Sequence, residues 1–223
     1  MRPYLPTYLP GRKLRGLNFD GDPGRYAKGE GRFLDSDGRA YKLHLSKLAY
    51  ETCIASKGAA IDRLSRMYSA IYIDEVQDLN GYDLEVLELM LKSSVDIVMV
   101  GDIRQAIINT NIQDPKNRQY RGMDIRKWFD KQAAADLVTI VHATKTWRCS
   151  QQISDLADSI FPASYGFKKT QSQNHDVCDH EGLFAVSEGD APEYARRFNA
   201  TCLRATEPSC SRSRRALPLG RWR

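Results

Sequence analysis

Two adjacent carboxylates at the end of a short apolar run are the first chemistry the chain offers. The run is Ala70-Ile71-Tyr72-Ile73, and Asp74-Glu75-Val76-Gln77-Asp78 follows it. Its length and β-rich content predict a buried parallel strand. In open α/β sheets, ligands bind beyond the carboxyl ends of the strands. A carboxylate pair there suits a nucleotide-bound Mg²⁺, which takes few carboxylates and completes its shell with phosphate and water. Asp74 is the candidate magnesium ligand. Glu75, beside it in that shell, is the candidate to orient or deprotonate an attacking water. Taken alone, the pair reads better as a helix cap after a strand.

Two further groups make the plainer reading insufficient. A second apolar run, Asp96-Ile97-Val98-Met99-Val100, stops at Gly101-Asp102 and leads to Ile103-Arg104-Gln105. That order brings an amide, Gln105, toward the same sheet edge, where it can bond a phosphate oxygen or a water. A third apolar run, Leu137 to Val141, leads to Thr146-Trp147-Arg148-Cys149-Ser150 at a helix start. An arginine so placed can reach a transferring phosphate.

The elements that must position these groups follow from periodicity. Leu43 to Met67 predicts two helices broken near Lys57-Gly58. Helices are also predicted over Asp83 to Ser93, with Leu84, Leu87 and Leu91 on one side, and over Asp124 to Ala134. Another is predicted from Cys149 to Phe161, with Ile153, Leu156, Ala157 and Ile160 at helical spacing. Strand, helix, strand, helix, strand predicts a parallel α/β sheet. Residues 1–42 are rich in Gly, Pro, Arg and Asp, show no sustained period, and read as an irregular segment.

At this point the order of the motifs carries a resemblance. Asp74 to Asp78, DEVQD, resembles motif II of the UvrD/Rep superfamily 1 DNA helicases. Gly101 to Ile107 resembles their motif III, and Thr146 to Cys149 is similar to motif IV. The resemblance covers roughly Ala70 to Ile160. It implies a RecA-like P-loop NTPase sheet: an incomplete first domain over 43–145 and the start of a second over 146–202. It implies ATP and Mg²⁺ as cofactors, single-stranded or partly duplex DNA as partner, and 3′-to-5′ translocation. By position, Asp74 and Glu75 take the magnesium and water roles. Gln105 senses the γ-phosphate and Arg148 contacts it. Asp102 braces its turn, and Gln77 and Asp78 couple the nucleotide site to motif III. Repair, recombination and anti-phage defence all use this family.

The sequence also departs from the pattern. Where the family carries an aromatic residue after motif III, this chain has Ile108. Tyr120 and Trp128 are the substitutes at hand, and both read better as packing. A P-loop needs G-x-x-x-x-G-K-S/T, so that backbone amides wrap the phosphates and lysine neutralises them. The nearest match runs from Gly24 to Gly31, but Glu30 stands in the lysine position and Gly31 in that of Ser/Thr. The expectation is therefore a fragment or degenerate member of an ATP-dependent helicase, weak or inactive alone, with a separate polypeptide as one source of the P-loop. Two alternatives stand beside it. One is a non-catalytic nucleic-acid or protein interaction module that retains the Walker B sheet. The other is a metal nuclease using Asp74, Glu75 and Asp102.

Composition bounds the rest. Five cysteines without a CxxC pair fit reduced thiols. No run reaches the ~20 apolar residues of a membrane span, and the N-terminus lacks a secretory h-region, so the expected compartment is the cytoplasm. The net charge is +5, yet residues 203–223 hold six Arg and one Glu, which leaves the remainder neutral. That basic tail reads either as a disordered natural end or as a frameshifted one. His175, Cys178 and His180 offer three zinc-type ligands without a recognised spacing or a fourth partner, and read as a polar loop.

Overall fold

The computed structural model describes residues 2–106, 114–174, 180 and 184–198. The zinc-type group lies outside these residues except for His180, and the basic tail and Ile108 lie wholly outside them. The chain divides into two compact units, Met1–Val141 and His142–Arg223.

The first unit begins with a short helix, α1 (Leu5–Tyr8), and two three-residue strands, β1 (Gly16–Asn18) and β2 (Arg39–Tyr41), paired in parallel. Residues 1–42 were expected to be irregular, and here the structure differs. Leu5, Phe33, Leu34 and Ala40 form a small core with Leu48 of the next helix. Elements of three or four residues are too short to show a period, so the pattern is invisible in sequence.

Helices α2 (Leu45–Ala55) and α3 (Ala59–Met67) follow, separated where expected. Lys57 and Gly58 adopt φ values of 51° and 87°, so the break is two successive left-handed residues. Next come strand β3 (Ala70–Ile73), helix α4 (Tyr82–Leu91), strand β4 (Asp96–Met99) and helix α5 (Ile125–Ala134). β3 and β4 pair in parallel, with Ile71 beside Ile97 and Ile73 beside Met99. Ile73, Ile97 and Met99 pack onto a core of Val76, Leu84, Leu87, Ile125, Trp128 and Phe129.

Two expectations about this sheet are corrected. Residues 137–141 are not a strand: they carry no ladder, and Val141 is 85% exposed. A strand exists by hydrogen bonding to a neighbour, and among the described residues this run has none. Nor are β3 and β4 buried on both faces. Tyr72 is 77% exposed, and Val98 and Val100 beside it are open as well. The core to which α4 and α5 contribute covers one face of the pair, so the side chains alternate in and out although the sequence is continuously apolar. The chain is thus a mixed α/β protein with small parallel sheets.

The second unit holds strands β5 (Lys145–Thr146) and β6 (Gln171–Ser172), paired in parallel, with helix α6 (Gln151–Ser159) between them and α7 (Ala191–Phe198) after them. Polar contacts tie it together. The Gln151 amide donates to Thr170 O at 3.0 Å and accepts from Ser172 N at 2.8 Å, and Asp158 accepts from Thr170 N at 2.6 Å. Among the described residues the apolar stripe predicted on α6 finds no core: Ile153, Leu156 and Ile160 all stand exposed.

Candidate functional site

The carboxyl end of β3 is not a simple strand end. Val100 N donates to Ile73 O at 2.9 Å, and Val100 O accepts from Val76 N at 3.1 Å. In an unbroken parallel ladder the second bond would come from residue 75, so one extra residue is accommodated, as in a β-bulge. Glu75 absorbs it with φ 51° and ψ 41°, a left-handed conformation that costs a non-glycine residue about 1 kcal/mol or more. The bulge leaves both Asp74 and Glu75 exposed beyond the ladder rather than on opposite faces of the sheet. Asp74 Oδ1 accepts from the Glu75 amide at 2.8 Å.

Behind the pair runs a continuous chain of hydrogen bonds. Gln77 is buried, at 4% exposure. Its Nε2 donates to Glu75 Oε2 at 2.6 Å, and its Oε1 accepts from Asp102 N at 3.1 Å. One amide orientation alone serves a carboxylate on one side and an N–H on the other. Asp102 Oδ1 accepts from Arg104 N at 3.1 Å and from Arg104 Nε at 3.0 Å. Asp102 Oδ2 accepts from Arg104 Nη2 at 3.1 Å and from Gln105 Nε2 at 3.2 Å. Asp102 thereby caps the single 3₁₀ turn Ile103–Gln105. Burial pushes its carboxyl up, but the bonds from Arg104 and Gln105 together outweigh burial and hold it below the ordinary Asp value.

Close contact fixes this geometry. A Cβ on Gly101 would lie 2.4 Å from Gln77 Oε1 and 2.9 Å from Val76 Cγ2, so only glycine lets β4 pass this close to the buried amide. Asp78 is half-buried at the end of the same turn, Val76–Asp78. A different carboxylate, Asp83, lies in α4, where burial raises its pKa and bonds from the Ser46 hydroxyl and the Asn80 amide partly offset that rise.

The structure therefore joins Glu75, Gln77, Asp102 and Gln105 within one unit, with Asp74 and Asp78 flanking them. Arg148 belongs to the second unit. It is exposed, its backbone N–H donates to Thr146 Oγ1 at 3.2 Å, and its guanidinium makes no hydrogen bond with a described residue. The bidentate Arg104–Asp102 contact and the Gly101 close approach were not foreseen as such. The Gly-Asp-x-Arg spacing was the available signal, since an Asp two residues before an Arg can cap a turn and pair with it.

Trp128 is buried edge-on to Phe129, and Tyr120 packs against the same core, so neither is free to stack a base. The P-loop look-alike is also settled by contact. Glu30 accepts from Arg12 Nε at 2.6 Å, and Gly29–Arg32 form a single 3₁₀ turn. Among the described residues no group of three or more His, Cys, Asp or Glu side chains is placed to hold a metal ion. The Asp102 carboxylate is occupied by Arg104 and Gln105, which leaves a two-metal nuclease short of a ligand.

A parallel strand pair with a carboxylate bulge at one strand end and a capped Gly-Asp turn at the next is the kind of edge on which α/β proteins bind ligands. Residues 28–122 match the family model of the UvrD/REP helicase N-terminal domain. Over those residues the chain is similar to a UvrD-type helicase domain, a partial likeness that implies a RecA-like fold and supports a DNA-binding, helicase-class reading. No curated protein matches the chain. Among the described residues, no helix is long and apolar enough to cross a membrane.

Proposed function

We propose that this chain is a fragment or degenerate member of an ATP-dependent DNA helicase, and that its β3–β4 edge is the water- and metal-handling half of the nucleotide site. The observation that carries the reading is the hydrogen-bonded path Glu75–Gln77–Asp102–Gln105, which ties the carboxylate bulge to the following turn. Asp74 and Glu75 fit magnesium chemistry. They are exposed, adjacent and few, as suits an ion that keeps water and phosphate as its other ligands. Bound with nucleotide, Mg²⁺ would screen the phosphate charge.

This chain's own residues would do the rest. Glu75 would accept the proton of the attacking water or hold that water in line. Gln105 would bond a phosphate oxygen with its amide, exchanging its present bond to Asp102. Gln77 would transmit the position of one to the other. Arg148 would complete the charge balance as a phosphate contact, 3′-to-5′ translocation on DNA would be the output, and a separate polypeptide could supply the P-loop.

The test is paramagnetic broadening by Mn²⁺–ATP of backbone amide signals in the full chain. Broadening is expected at Asp74–Asp78 and Gly101–Gln105, lost in Asp74→Ala. No broadening there at millimolar nucleotide, or the same broadening in Asp74→Ala, would overturn the reading and leave a binding module that merely kept the sheet. Metal-dependent DNA cutting without ATP, abolished by Asp74→Ala, would point to the nuclease instead.

A further inference from the structure

The carboxyl ends of α2 and α4 and the start of α3 border a cavity of about 310 Å³. Cys53, Ile61 and Leu89 belong to the small core that joins these three helices, and together with Ile54 they give the cavity its apolar lining. Cys53 and Ile61 are buried, whereas Ile54 is half open to solvent. None of the lining residues belongs to the β3–β4 edge that carries the carboxylates. Ser93, which also lines the cavity, leads instead toward the opposite, amino end of β4.

Lys57, Lys92 and Asp62 supply charge around this lining. Lys92 is neutralised by Glu88, one turn back in its own helix. The side chains of Lys57 and Asp62 make no ion pair or hydrogen bond with a described residue.

Lys57 also stands where a lysine is costly. Its N–H donates to Ile54 O at 2.9 Å, and the Gly58 N–H donates to Cys53 O at 3.1 Å, the two bonds of a Schellman motif at the end of α2. The first residue past such a helix end takes φ above zero, here 51°, and glycine takes it with least strain. Backbone strain of this kind gathers where ligands are clamped. Here it fixes an ammonium-bearing residue at the border of an apolar cavity.

Small-molecule sites have mainly apolar walls and a few polar groups that fix orientation, and this cavity is at the lower end of their size range. The Lys57 ammonium complements a negative head group, and the apolar lining complements a hydrocarbon or aromatic body. Asp62 opposes a second negative charge.

We propose that this cavity binds a small amphiphile with one anionic group, of the carboxylate or sulfonate class, set beside Lys57, with its apolar body against Cys53, Ile54, Ile61 and Leu89. The site does not depend on the nucleotide reading above, so its failure leaves that reading standing, and the reverse.

The experiment titrates the full chain with anilinonaphthalene sulfonate, an aromatic body carrying one sulfonate, and separately with its uncharged analogue phenylnaphthylamine. Binding is read by fluorescence and located by backbone amide shifts. Shift changes are expected at residues 53–62 and 89–93. Lys57→Gly removes the cation and relieves the backbone. It should raise the denaturation midpoint, weaken the sulfonate about three- to fivefold, and leave the uncharged analogue unchanged. A more stable variant that binds less cannot owe its loss to misfolding. Ile54→Glu, at an exposed position on the lining, should weaken both compounds about tenfold. Lys127→Gln, a charge loss on α5, should alter neither. Shift changes confined to other segments or spread over the whole chain, equal loss of both compounds in Lys57→Gly, or parental affinity for both in Ile54→Glu would each overturn the proposal.

Discussion

The β3–β4 edge and the turn that carries Arg148 are both recognisable motifs, yet their side chains stand in opposite physical situations. At the edge, Glu75 and Asp102, 27 positions apart, meet through a buried amide, and Asp102 is fully engaged by Arg104 and Gln105. At the turn, Arg148 is exposed and, among the described residues, bonded only through its backbone N–H to Thr146, and α6 behind it leaves Ile153, Leu156 and Ile160 exposed. The difference teaches that a motif is positioned by a chain only where that chain also supplies its supporting groups. The first region is preorganised by its own core, and among the described residues the second has no comparable one.

The largest effect should come from filling the closest approach. Gly101→Val would drive methyl groups into Gln77 and Val76, and a loss of about 3 kcal/mol is expected, read as a lower denaturation midpoint. A variant as stable as the parent would break the claim that the edge is tightly built. Next, Gln77→Leu keeps the apolar volume but strands the Asp102 amide and one Glu75 oxygen. A loss of about 1–3 kcal/mol is expected in urea unfolding, with amide shifts at both Glu75 and Asp102.

A smaller and pH-dependent effect should follow Asp102→Asn. Because the folded carboxyl sits below its ordinary value, its stabilisation is complete above the unfolded pKa and is lost as pH falls through the folded one. The stability gap between parent and variant is therefore expected to be widest near neutral pH and to close under acid conditions. A gap independent of pH would show that the capping charge is irrelevant. Smallest of all, Arg148→Ala should change stability by no more than about 0.5 kcal/mol, and a large loss would place the second unit on the same footing as the first.

The sequence by itself determined the elements that are long enough to carry a period. Two helices split at Lys57-Gly58, the apolar face of α4, and the parallel pairing of β3 with β4 were all legible, because burial imposes spacing that propensity and turn chemistry reinforce. It also determined which residue types stand at the sheet edge.

Tertiary structure decided what local patterns cannot encode. Residues 137–141 are as apolar as β4 but, among the described residues, have no neighbour to pair with, and a ladder requires two strands. β3 reads as buried on both faces, yet Tyr72 is open because packing covers one side. The bulge at Glu75 arises from register with Val100, and the path through Gln77 arises from β4 passing at Gly101. Both are relations between distant segments, set by how the sheet closes against its core.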